Sequence, residues 1–76
     1  MGTMRILDHT GDTAIAWSVD DPESVAEAAR VFDRLARERK IPFARAAGAP
    51  AAHAERIRTF DPTADEIVWV RPVAGG

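Results

Sequence analysis

The sequence predicts a single α+β domain in which one helix covers a mixed sheet of four to five strands. Three stretches carry that prediction. Val25, Ala28, Ala29, Phe32, Leu35 and Ala36 fall on one continuous stripe of a helix. Ile15, Trp17 and Val19 alternate with Ala14, Ala16 and Ser18, the period of two that gives a strand one core-facing side. Ile67, Val68, Trp69 and Val70 form a short run that is apolar on both faces, as a strand in the middle of a sheet requires. The 76 residues leave no room for a second core.

The elements follow in order. Ile6 and Leu7 belong to a first strand, paired as a hairpin with the strand of Ile15 and Trp17, and His9-Thr10-Gly11-Asp12 supplies the turn. For the helix, Asp21 suits the N-cap, Pro22 the first helical position, and Glu23 the positive end of the dipole. Asp33 stands four residues before Arg37 and Glu27 three before Arg30, a spacing that supports ion pairs on the solvent side. Arg37, Arg39 and Lys40 crowd the last turn, and Pro42 is expected to stop the helix. Residues 41–46 (IPFARA) read as a third strand at an edge, because Pro42 has no donor for a ladder. Residues 46–54 (AAGAPAAHA) read as a loop, with room for a helical turn between Ala51 and Arg56. ERIRTF gives a fourth strand with Ile57 inward, and DPTADE a turn capped by Asp61 ahead of Pro62. The last strand is central yet comes last in the chain, so it must insert beside the first. Pro72 ends it, dividing a domain of residues 1–71 from a flexible tail of residues 72–76.

Composition narrows the chemistry. The chain has no cysteine, which excludes disulfides, thiolate metal sites and a cysteine nucleophile, and fits a reducing compartment. A net charge of −2 gives no long-range attraction to nucleic acid or membrane. No apolar run has the length of a membrane span and no signal peptide is evident, so the expected setting is the cytoplasm. Met4 is a candidate natural start, with Met1-Gly2-Thr3 an expression remnant. His9 and His53 lie far apart with no ligand spacing and read as solvated side chains. Asp8, Asp12, Asp20 and Asp21 flank turns and a helix cap, where aspartate serves local hydrogen bonding. Arg34, Arg37, Arg39, Lys40, Arg56 and Arg58 raise the question of an RNA-binding patch, which balancing acids and the lack of interleaved aromatics argue against. Trp17 and Trp69 sit in apolar strands and read as core, and no serine or threonine has a base at catalytic spacing. Nothing points to catalysis by the chain itself.

The chain ends VRPVAGG. At ~7% glycine usage, two terminal glycines arise by chance in roughly 0.5% of chains. The stretch TADEIVWVRPVAGG, residues 63–76, resembles the C-terminus of the molybdopterin-synthase small subunit. TGDTAIAW and KIPF are similar to the first hairpin and the helix exit of ubiquitin. With the order β-β-α-β-β-β, these stretches resemble the ubiquitin-like β-grasp family, which contains ubiquitin and the bacterial sulfur carriers of molybdopterin and thiamin synthesis. Two departures leave the branch open: residues 46–54 have no counterpart in the family, and Arg71 stands where the sulfur carriers tend to have proline.

The resemblance implies a carrier or modifier, not an enzyme. An activating enzyme would adenylate the terminal carboxylate with ATP and magnesium, and a sulfur nucleophile would then displace AMP to give a thiocarboxylate or thioester. Gly75 and Gly76 would be the activated end, and Arg71, Pro72, Val73 and Ala74 the segment that contacts the activating enzyme. Glycine has no Cβ to clash in a narrow channel, and a flexible tail reaches where the globular body cannot. The chain itself would bind no cofactor; its partners would be the activating enzyme and a target protein or synthase subunit. Two other classes stay open: a non-covalent interaction module that binds through its sheet face, and a small RNA-binding domain. Lys40, the only lysine, restricts self-conjugation through a side chain to one position, which favours single modification or sulfur transfer over branched chains.

Overall fold

In the computed structural model, which describes residues 1–8 and 11–71, β1 (Gly2–Asp8) and β2 (Gly11–Trp17) form an antiparallel hairpin. Its register runs from Gly2 opposite Trp17 to Asp8 opposite Gly11, so Gly11 and Asp12 are strand residues rather than turn residues. His9 and Thr10, between the strands, lie outside the described residues. Helix α1 (Pro22–Arg37), β3 (Ile41–Arg45), a 3-10 turn (Ala51–His53), β4 (Glu55–Arg56) and β5 (Glu66–Val70) follow. The sheet order is β2-β1-β5-β3-β4, with β5 parallel to β1 and antiparallel to β3. The chain is thus α+β, one helix on a mixed five-stranded sheet, and the last strand lies in the middle beside the first.

The start of α1 follows the sequence. Asp21 is the N-cap, its side chain accepting from the Ser24 N–H at 3.4 Å, and Pro22 opens the first turn. Ser24 ties the helix to the hairpin, because its Oγ accepts from the Ser18 N–H at 2.9 Å. Its exit differs from expectation. The helix ends at Arg37, well before Pro42, in a Schellman turn: the Arg39 N–H donates to Ala36 O at 3.1 Å and the Lys40 N–H to Leu35 O at 3.2 Å. Arg39 holds the left-handed position of that turn, with φ 64°, where glycine is usual.

The buried stripe of α1 is Ala28, Val31, Phe32 and Leu35. It is rotated slightly from the predicted one: Val31 is inside, Val25 is half-buried, and Ala36 faces solvent. Opposite it lie Met4, Ile6, Trp17, Ile67 and Trp69 from the three adjacent strands β1, β2 and β5. Aromatic rings run through this core. Phe32 meets Trp69 edge-on at 4.8 Å, and Phe60 joins Phe32 at 5.9 Å to Trp17 at 5.0 Å. Val19, expected on the core face of β2, is 57% exposed because the strand stops at Trp17 and the chain turns towards the helix.

Gly2 and Thr3, read from the sequence as part of a candidate expression remnant, belong to β1. Thr3 pairs with Ala16 on one side and Glu66 on the other. A Cβ on Gly2 would stand 2.3 Å from Trp17 Cζ2 and 2.6 Å from Ala64 O, so only glycine lets the strand pass under the indole. β3 is not the edge strand; β4, two residues long, lies outside it. Pro42 fits there because its carbonyl accepts from the Ile57 N–H at 3.2 Å, which turns its backbone nitrogen away from β5. No helix among the described residues is long and apolar enough to cross a membrane.

Candidate functional site: the open sheet face and the end of β5

Strand alternation leaves a second sheet face that α1 does not cover. Pairing register sets Ala14, Arg5, Val68, Phe43 and Arg56 side by side across all five strands on that face. The same alternation that buries Ile67 and Trp69 turns Glu66, Val68 and Val70 outward. Phe43, Arg45, Ala54, Val68 and Val70 line a shallow groove of about 390 Å³ there. Ile41, opposite Val70, extends its apolar surface.

Glu66 organises the polar side of this surface. It accepts from Arg5 Nε at 3.2 Å through Oε2 and from Arg45 Nε through Oε1, so two arginines from different strands are tied to one carboxylate. Arg45 also reaches Ala49 O in the following loop at 3.5 Å. The Arg5 side chain is 51% exposed and that of Arg45 33%, which leaves both guanidinium groups open to an incoming acid. The arrangement can therefore hold an apolar surface by contact and orient it by charge.

β5 is launched by the turn expected from DPTADE. Asp61 Oδ1 accepts from the Thr63 hydroxyl at 2.6 Å and from the Thr63 N–H at 2.9 Å, and the Ala64 N–H donates to Asp61 O at 3.1 Å. These bonds, the hydroxyl first, hold the Asp61 carboxyl below its ordinary value of 3.8. β5 ends at Val70, and exposed Arg71 follows from the middle of the sheet. Pro72, Val73, Ala74, Gly75 and Gly76, the expected contact segment and activated end, lie outside the described residues.

The other sequence candidates separate. Asp21 and Ser24 serve the helix cap, and His53 is exposed in the 3-10 turn. Among the described residues, no group of three or more His, Asp or Glu side chains is arranged to hold a metal ion. Arg34 pairs with Glu38 along the helix at 3.8 Å, Lys40 and Arg58 border one groove, and Arg56 is turned to the open face by its register with Phe43. A binding sheet face is among the sequence expectations, but the residues that build it are not named there, although their signal is present. If Trp69 points inward, Val68 and Val70 must point outward, and a run apolar on both faces announces two surfaces. No protein-family profile, no curated protein and no solved structure matches the chain.

Proposed function

We propose that this chain is a ubiquitin-like β-grasp carrier or modifier whose terminal glycine carboxylate is adenylated by a partner enzyme, for sulfur transfer or protein conjugation in the cytoplasm. One observation carries the reading. The central strand β5 is the last element, and it delivers Arg71 from the middle of the sheet towards a Pro-Val-Ala-Gly-Gly sequence. A terminus that leaves from a central strand starts beside the open sheet face, so a partner seated on that face also meets the tail. The groove of Phe43, Val68 and Val70 supplies contact area, and Arg5 and Arg45, fixed by Glu66, set its orientation.

In the proposed cycle the Gly76 carboxylate attacks the α-phosphate of ATP on the partner enzyme, with magnesium held there, and pyrophosphate leaves. A sulfur nucleophile then attacks the acyl carbon and AMP departs. Gly75 and Gly76 present no side chain to the channel. The test is incubation with ATP, magnesium and an extract of the source cells, followed by intact-mass analysis. A Gly76 thiocarboxylate or thioester is expected, and deletion of Gly75 and Gly76 should abolish it while leaving the circular dichroism spectrum unchanged. No ATP-dependent change of mass in the intact chain would refute the proposal.

The open groove also favours a second reading, a module that binds another protein without tail chemistry. It predicts that the same deletion leaves partner binding unchanged and that Phe43→Asp abolishes it.

A further inference from the structure

On the helix side of the sheet, between the exit of α1 and the β3–β4 edge, lies a groove of about 310 Å³. Phe32, Ala36, Pro42 and Ile57 form its apolar wall, and Lys40 and Arg58 its charged rim; Arg56, which also borders it, is turned to the open face by its register with Phe43. The rim is unbalanced. Lys40 Nζ stands 3.4 Å from Glu38 Oε1, but Arg58 enters no ion pair among the described residues. In a chain of net charge −2 this is a local excess of positive charge.

The rim is also positioned. The Lys40 N–H is bound to Leu35 O in the Schellman turn, and the Lys40 side chain is only 19% exposed, its stem lying along the groove. Arg39, next to it, occupies a left-handed position that glycine fills with less strain. On the other side, the Ile57 N–H is held by Pro42 O, which fixes the segment between Arg56 and Arg58.

The wall discriminates between anionic partners. A single-stranded nucleic acid needs an aromatic face on which a base can stack, and the only aromatic side chain here, Phe32, is 1% exposed. Ala36 and Ile57 instead offer a small aliphatic seat between cations, above the buried Pro42. We propose that this groove docks an acidic segment of a partner protein, with one aliphatic side chain on Ala36 and Ile57 and flanking carboxylates on Lys40 and Arg58. The groove is separate from the open sheet face, so a partner here leaves the end of β5 accessible, and the inference does not depend on tail chemistry.

The probe is a fluorescein-labelled peptide of alternating glutamate and leucine, with two comparisons: the same peptide with serine for leucine, and a uridine oligonucleotide of equal charge. Binding should shift the amide resonances of Ala36, Lys40, Ile57 and Arg58, weaken as salt rises, and weaken again when serine replaces leucine. The variant Arg58→Glu should bind several-fold less tightly, as loss of one exposed ion pair implies. The Arg58 side chain is exposed, so the variant's remaining resonances should match the parent; if they do not, Lys40→Gln gives the same comparison at a second position. Absence of binding, shifts confined to another surface, unchanged affinity in these variants, or tighter occupation by the oligonucleotide would each overturn the proposal.

Discussion

Trp17 and Trp69 are both buried, at 1% and 0% exposure, but only one indole is hydrogen-bonded. Trp17 Nε1 donates to Pro62 O at 3.0 Å, whereas Trp69 Nε1 has no partner among the described residues. Replacing either by phenylalanine removes a similar apolar volume from the same core, so the transfer terms largely cancel between the two variants. The polar terms do not cancel. Trp17→Phe forfeits a hydrogen bond with a net contribution of about 1 kcal/mol, while Trp69→Phe relieves an unpaired buried donor whose desolvation costs about 1–3 kcal/mol. Trp17→Phe should therefore be the less stable variant by about 2–4 kcal/mol, a large share of the roughly 5–15 kcal/mol that holds a domain together. Urea unfolding followed by circular dichroism measures the difference, provided the two slopes agree. Equal midpoints, or a lower midpoint for Trp69→Phe, would refute the reasoning.

Three further outcomes follow from local geometry. Gly2→Ala should lower stability by about 1–3 kcal/mol through overpacking against Trp17, as judged by the urea midpoint; an unchanged midpoint would mean that β1 does not pass beneath the indole. Arg39→Gly should raise stability by on the order of 1 kcal/mol by relieving the left-handed residue of the Schellman turn; a lowered melting temperature would contradict that strain. Asp61 has a lowered carboxyl pKa in the folded chain, so its contribution is complete above the ordinary value of 3.8 and is lost as pH falls through the lower folded value. The stability gap between the parent and Asp61→Ala should therefore be constant near neutrality and close on acidification below 3.8; a gap that widens there would reverse the sign.

The sequence was most legible where one physical cause acts alone. Asp21 and Pro22 mark a helix start by backbone chemistry, and the doubly apolar β5 leaves no position except the middle of a sheet. It was least legible where two causes compete. Pro42 reads as a helix stop and an edge residue, but Arg39 closes the helix earlier, and the pairing side of Pro42 lets β3 accept neighbours on both flanks. Met4 belongs with Ile6 by period, yet as a methionine near the beginning of the chain it reads first as a candidate start; the buried contact of Gly2 with Trp17 is tertiary and has no local signature. Phe60 likewise joins the core through ring contacts that no short-range pattern encodes. The position of Arg71 just after the last strand follows from the sequence, whereas the union of Arg5, Glu66 and Arg45 depends on strand order.

Activation of Gly76 is tested most directly by intact mass spectrometry of the chain isolated from its own cells, with an alkylating reagent present from lysis onward. A carrier should show a fraction whose mass reflects exchange of one oxygen for sulfur and whose alkyl group maps to Gly76; a modifier should show Gly76 joined through its carboxyl to another protein's amine. A population in which every Gly76 is a free carboxylate, with no protein joined to it, would contradict the proposal that this terminus is the working part of the molecule.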